Sequence, residues 1–230
     1  MKCLILASGF GTRPYPLTTH KAKALLEYEG EPLLSSILDG IPANINTFVP
    51  CNRRFEADFR QWRKSAARQV ELCVEDVWTE GEKKGAVGSL AFRVSTKSIA
   101  EELLVIAGDN YFEFSLAGFI SAYDGKNVLV AVCDVSDVRK ASRLGVVSLL
   151  GTRIVEFQEK PAWPHSSLVS TGIYLFPPRI FPSLSQYCAE GKRDNLGDFI
   201  AYLVERDEVH ARIFTETWLD IGSAEDLAQS

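Results

Sequence analysis

The sequence predicts an α/β fold: a mostly parallel sheet with helices on both faces and a β-rich insert at about 140–177. Three observations predict it. Short apolar runs recur through the first 133 residues, segments with helical spacing lie between them, and after about residue 140 the pattern turns to shorter β segments. With 230 residues, 46% of them apolar, the chain has enough material for one well-buried core, and a single domain over 1–230 is expected.

The first run, KCLILA (2–7), reads as a central strand, because a compact apolar stretch ending at glycine suits a strand buried on both faces. TFVP (47–50), VELCV (70–74), ELLVIAG (102–108) and NVLVAVC (127–133) repeat it. RFEADFRQWRKSAARQ (54–69) has helical spacing, and in GAVGSLAFRV Val87, Leu90, Ala91 and Val94 fall at i, i+3, i+4 and i+7. Farther along, LGVVSLL and RIVEFQEK around Gly151 predict a hairpin, followed by a strand in LVSTGIYLF. A helix (GDFIAYLVERD), a strand (HARIFT) and the segment WLDIGSAEDL complete the chain. In parallel sheets of this kind ligands bind at the carboxyl ends of the strands, so the chemistry is sought there.

Composition excludes several classes. A formal charge of −5 argues against a protein that neutralises nucleic-acid backbone, and small-molecule partners are expected. No apolar run approaches the ~20 residues that cross a bilayer, and MKCLILASG is too short for a signal peptide, so a cytoplasmic protein without a membrane partner is expected. Five cysteines form no CxxC pair, and with three scattered histidines they lack zinc-ligand spacing; buried packing in a reducing compartment is the expectation for them. The oligomeric state, a homo-oligomer included, is left open.

LASGFGTRPYPLT (6–18) leaves the first strand directly, and Gly9 and Gly11 permit a backbone that cradles phosphate. A plain turn is the alternative. A dinucleotide fingerprint fails because Pro14 stands where a third glycine is needed, and a Walker A loop fails because neither Gly–Lys pair has the earlier glycine and the hydroxyl residue. What remains is G-x-G-T-R followed by Lys21 and Lys23, cations suited to a triphosphate: a forked guanidinium at Arg13 and compact ammonium groups. Either lysine can equally be a solvated surface charge.

At this point LASGFGTRPYPLT…KAKALLEYEGEPLL resembles the opening of the sugar-1-phosphate nucleotidyltransferases, LAAGxGTRLxPLT…KPKPLLPVxGxPLL. The resemblance continues through GAVGSL, GDN, LGVVSL, EKP, STGIYLF and WLDIG. It implies the Rossmann-like fold of nucleotide-diphospho-sugar transferases and the reaction of a nucleoside triphosphate with a sugar-1-phosphate, giving a nucleotide sugar and pyrophosphate with Mg²⁺.

It also implies roles. Arg13 and Lys23 bind the triphosphate together with the backbone of Ala7, Gly9, Gly11 and Thr12. Glu80 and Gly85 belong to the nucleoside loop. Asp109 and Asp220 hold the magnesium, and hard carboxylate oxygens are what that ion prefers. Gly145, Glu159, Lys160 and Thr171 receive the sugar phosphate. Taken singly, each aspartate can be a turn or cap residue, and Glu159 with Lys160 a surface pair.

The sequence also departs from the pattern. KPKPLLP is replaced by KAKALLE, and PLGTAGAL by KKGAVGSL. Where thymidylyl and uridylyl members carry Gln, this chain has Glu80; an ionised carboxylate only accepts hydrogen bonds, which suits guanine N1–H and N2–H₂ or the cytosine amino group. A mannose-1-phosphate guanylyltransferase-like activity is therefore expected. Glucose-1-phosphate thymidylyl or uridylyl transfer and phosphocholine cytidylyl transfer are the alternatives, and Glu80 facing solvent is another. Ser-Thr-Gly at 170–172 replaces Asn-Ala-Gly and leaves the sugar open. With ten residues after Asp220, no appended acyltransferase or β-helix domain is expected. A non-catalytic sugar-nucleotide-binding subunit is the reading of another class, disfavoured because the charged constellation is complete.

Overall fold

The computed structural model describes residues 1–11 and 21–221; Thr12 and Arg13 lie outside the described residues. The strands are β1 (Lys2–Leu6), β2 (Glu27–Tyr28), β3 (Glu31–Pro32), β4 (Asn46–Asn52), β5 (Glu71–Glu75), β6 (Leu103–Ala107), β7 (Asn110–Phe112), β8 (Val128–Asp134), β9 (Gly145–Leu150), β10 (Arg153–Glu159), β11 (Leu168–Phe176), β12 (Val209–Phe214) and β13 (Trp218–Asp220). The helices are α1 (Leu33–Gly40), α2 (Glu56–Ser65), α3 (Ala86–Thr96), α4 (Leu116–Ser121), α5 (Val138–Ala141), α6 (Phe181–Ala189) and α7 (Leu196–Val204).

Nine strands form one sheet in the order β5-β4-β1-β6-β11-β8-β12-β10-β9. From β5 to β6 every pairing is parallel, as the apolar runs predict. Beyond β6 the sheet is mixed, because β11 runs antiparallel to both β6 and β8 while β8 and β12 are again parallel. The β-rich stretch at 140–177 supplies β9, β10 and β11 to this part of the sheet. Val169, Ile173, Leu175 and Phe176 are fully buried, and a strand apolar on both faces belongs in the middle of a sheet. As β9 also pairs β11, the strands β11-β8-β12-β10-β9 close into a ring, which protects edges that would otherwise be open.

Alternation along the central strands divides the core. Cys3, Ile5, Leu104 and Ile106 face one side, where α1, α2 and α4 bring Ile37, Leu38, Phe59, Trp62 and Phe119. Leu4, Leu103 and Val105 face the other, against Leu90 of α3, Leu184 of α6 and Phe199, Ile200 and Leu203 of α7. Helices therefore cover both faces. Cys3, Cys51, Cys73 and Cys133 are buried free thiols, and Cys188 is half-buried. Helix α2 stops at Ser65, short of the predicted 54–69. Just past it, Arg68 donates to the carbonyls of Ile41 (2.7 Å), Pro42 (2.9 Å) and Ile45, and Ala66 has already turned extended to bring that guanidinium across. No helix among the described residues is long and apolar enough to cross a membrane.

The site is positioned by β1. The chain places β4 on one side of β1 and β6 on the other, which makes a crevice outside the carboxyl end of β1. Leu6 is in register with Ala107, so the loops following β1 and β6 leave the sheet side by side.

Candidate active site

A cleft of about 450 Å³ opens at this crevice. It is lined by Ala7, Gly9, Gly11, Lys23, Glu80, Gly85, Asp109, Gly145, Glu159, Lys160, Thr171 and Asp220. Lys21, the other candidate cation for the triphosphate, is not among the lining residues: its ammonium is exposed and donates to Glu27 at 3.0 Å, as a solvated surface charge does.

On the floor, Gly108 donates its N–H to the Leu6 carbonyl at 2.9 Å, and a Cβ at Gly108 would lie 2.8 Å from that oxygen. The two loops can touch only because this residue is glycine. Asn110, buried, donates through Nδ2 to the carbonyls of Thr171 (2.8 Å) and Ala107 (3.3 Å), fastening the turn after β6 to β11. Asp109 is held between these two fixed neighbours, and its Oδ2 accepts from Lys23 Nζ at 2.6 Å. Lys23 starts a one-turn 3-10 helix whose Ala24 and Leu25 are buried, so the largely covered ammonium is aimed inward.

Asp220 reaches the same place through a small antiparallel ladder: β13 pairs β7 with Asp220 opposite Asn110, and the N–H of Ile221 donates to the Asp109 carbonyl at 3.0 Å. Two aspartates more than a hundred positions apart thus lie at adjoining register positions beside the first loop. Their donors are hard oxygens, and no cluster of three or more His, Cys, Asp or Glu able to hold a metal occurs among the described residues. Such a set fits Mg²⁺, which takes one or two carboxylates and completes its shell with water and substrate phosphate.

The nucleoside side is built on α3. Gly85 precedes the helix at φ +76°, and a Cβ there would stand 2.2 Å from the Arg193 carbonyl oxygen. The close approach lets the N–H groups of Ala86 and Gly88 donate to the carbonyls of Asp194 (2.8 Å) and Arg193 (3.0 Å). Beneath them, buried Glu75 accepts from Ser89 (2.7 Å) and Arg93 (3.2 Å), tying β5 to α3. Glu80 is ion-paired with Lys83, whose ammonium is held above its ordinary pKa by that hydrogen bond first.

On the acceptor side, Glu159 ends β10 and is largely covered, with its Oε1 3.2 Å from Lys160 Nζ. Its other oxygen lies between two glycines: a Cβ would stand 3.1 Å from it at Gly145 and 1.9 Å from it at Gly197, in the first turn of α7. A carboxylate there is favoured by the helix dipole, and Asn195 caps the same turn by accepting from Gly197 N at 2.9 Å. Nearby, the Asp198 carboxyl is pushed up, by desolvation first and by the Glu159 charge next. Lys160 adopts φ +47°, a strained conformation for lysine, while its N–H donates to the Leu144 carbonyl at 2.9 Å. The Thr171 hydroxyl is spent on the Ala131 carbonyl at 3.0 Å, so Thr171 shapes the cleft through its backbone.

A family model described as nucleotidyl transferase matches residues 2–230. The chain belongs to the nucleotidyl transferase family. A protein of Sulfolobus acidocaldarius named as a candidate mannose-1-phosphate guanyltransferase is 29% identical over 98% of this chain and 61% of its own length. The glucose-1-phosphate adenylyltransferase of Fervidobacterium nodosum is 25% identical over 96% of this chain and 58% of its own. The chain therefore spans about three-fifths of the length of these curated relatives. A crystal structure described as a candidate glucose-1-phosphate thymidylyltransferase from Bacillus anthracis superposes with a TM-score of 0.87, covering 100% of this chain and 93% of that one at 24% identity, and establishes the fold.

In this nucleotidyl transferase the cleft also contains residues to which the sequence reading gave no role: Lys83, Arg143, Asp194, Asn195, Gly197 and Trp218. For Asn195 a signal was present, an N-cap residue just before LGDFI. Lys83 stood out as a departure from the family pattern. Nothing local marked Asp194 or Gly197, which reach the cleft through tertiary packing.

Proposed function

We propose that the chain transfers a nucleotidyl group from a nucleoside triphosphate to a sugar-1-phosphate and releases pyrophosphate. The observation that carries this reading is the register of β13 on β7, which brings Asp220 beside Asp109 and Lys23 at the mouth of the glycine loop. The names of the relatives agree with it.

The chemistry asks for positioning and charge rather than a general base. A phosphate oxygen of the acceptor, anionic at neutral pH, bonds to the α-phosphorus, the bond to the β-phosphate oxygen breaks, and that oxygen leaves with pyrophosphate. Lys23 and Arg13 neutralise the triphosphate, with backbone N–H groups of the first loop around it. Lys160 orients the attacking phosphate, and Glu159 accepts from sugar hydroxyls. Asp109 and Asp220 would hold Mg²⁺, which when bound supplies charge neutralisation at the reacting phosphates. Within the same reading the favoured nucleotide is GTP, because Glu80 offers acceptors only; the favoured acceptor is mannose-1-phosphate, in line with the name of the Sulfolobus acidocaldarius relative; the domain is the whole of 1–230; and the free, mostly buried cysteines fit a cytoplasmic setting.

The test is pyrophosphate release over four nucleoside triphosphates and a panel of sugar phosphates with magnesium, the product identified by mass. At least one pairing is expected to turn over and to yield a nucleotide sugar. Silence in every pairing would give the lead to a non-catalytic sugar-nucleotide-binding subunit.

A further inference from the structure

Lys83 occupies an unusual place in the cleft. Its Nζ lies 3.0 Å from Glu80 Oε1 and 3.3 Å from Asp194 Oδ1, and all three residues line the cavity. The backbone beneath them is tightly fixed. Glu82 accepts from the N–H groups of Trp78 (2.8 Å) and Thr79 (3.1 Å) in a capping box, Lys83 N–H donates to the Glu80 carbonyl at 3.3 Å, and Ala86 N–H to the Asp194 carbonyl at 2.8 Å. An ammonium has three hydrogens, and two are engaged; the third, and the second oxygen of Glu80, remain for a ligand. Read along one line, the pair offers a donor (Lys83 Nζ), an acceptor (Glu80 Oε1) and a second acceptor (Glu80 Oε2).

We propose that Lys83 is a specificity-determining residue that reads the nucleobase jointly with Glu80, and that the pair selects guanine. This deepens the proposed function and rests on it. Guanine presents O6, N1–H and N2–H₂ in a row, an acceptor followed by two donors, which complements all three positions. Uracil and thymine match two positions and set their O2 against a carboxylate oxygen. Adenine and cytosine also match two and leave one oxygen of Glu80 without a donor. A site that leaves a polar group unpaired discriminates strongly, so the third position decides. Asp194 acts through Lys83: it holds the ammonium from the far side and keeps the donor next to Oε1 rather than beyond it.

The test compares kcat/KM for GTP, ITP, ATP, CTP and UTP in the native protein and in Lys83→Met, Lys83→Arg and Glu80→Gln, with thermal melts to verify folding. Loss of one charge-assisted hydrogen bond predicts that Lys83→Met lowers GTP and ITP, which share O6, by about 10- to 100-fold, while UTP and CTP, which the mismatch at the third position already keeps from seating against Lys83, move by less than about 3-fold. Lys83→Arg, which keeps a donor, is expected to restore most of the preference. Glu80→Gln is expected to weaken GTP more than ITP, which lacks the 2-amino group. A Lys83→Met variant with the native ranking of bases, or one that weakens all five nucleotides alike, would overturn the inference. Calorimetric binding of GDP and UDP to the native and Lys83→Met proteins asks the same question without turnover. If GDP is preferred and Lys83→Met abolishes the preference in a protein that releases no pyrophosphate, the proposed reaction fails and the base assignment stands. Equal binding of GDP and UDP to the native protein sinks the base assignment whatever the turnover.

Discussion

Asp109 carries its charge on a turn that other residues immobilise, with Lys23 Nζ at 2.6 Å from it and Asp220 arriving across the β7–β13 ladder. Replacing either aspartate by asparagine removes a charge without changing shape. Under the proposed mechanism, Asp109→Asn and Asp220→Asn should each lower turnover by at least ~100-fold, the scale of a lost electrostatic stabiliser, with an unchanged thermal melt. Near-normal turnover in the Asp220 variant would remove it from the metal site. Gly197 tests the acceptor side, since a methyl group there would occupy the space of the Glu159 carboxylate, 1.9 Å away. Gly197→Ala is expected to displace Glu159 and to lower kcat/KM for the acceptor by about 100-fold, as a small misplacement near the chemistry does. Steady-state kinetics that vary the sugar phosphate at saturating nucleotide measure this. At this scale the sequence was informative wherever a residue sat inside a motif, as Lys23, Asp109, Glu159 and Asp220 do. Gly197 was illegible because its constraint is a side chain from another strand, and no spacing along the chain reveals that.

Among the elements, the strands were the most legible, because a run such as LLVIA or VLVAVC has few alternatives to burial on both faces. The order and direction of β11 were not legible: the same letters serve in a parallel or an antiparallel pair, and which pair forms depends on the length of the connection before it. Helix α1 was missed for a local reason, since LLSSILDG follows Pro32 directly and carries no capping side chain to announce it. The junction between α3 and the segment at 193–194 carries an element-level prediction. Gly85 holds φ +76° against the Arg193 carbonyl, so Gly85→Ala strains the backbone and forces the two segments apart. The variant should lose about 1–3 kcal/mol of stability in denaturant titration and should raise KM for the nucleotide. A native-like midpoint together with a native KM would mean that the junction yields freely and does not shape the nucleoside loop.

For the molecule as a whole, the sheet separates what makes it stable from what makes it act. Both cores lie between the sheet and its helices, whereas the charged residues proposed to act, Lys23, Asp109, Glu159, Lys160 and Asp220, line the cleft outside the carboxyl end of β1. Substitutions in the two regions should therefore differ in kind. Phe199 is fully buried on α7 and packs against Phe176, Tyr187 and Tyr202 with ring centroids 5.2–6.2 Å apart, so truncation leaves a cavity among aromatic neighbours. Phe199→Ala should cost about 3–5 kcal/mol and lower the melting temperature by several degrees, while the fraction that remains folded keeps turnover within a few-fold of native at low temperature. Asp220→Asn should do the opposite, abolishing turnover and leaving the melt in place. The same helix supplies Gly197 to the cleft at its first turn, so the contrast has an internal limit. If Phe199→Ala shifts the start of α7, KM for the acceptor will rise together with the loss of stability, and kinetics measured well below the melting transition will separate that coupling from simple unfolding.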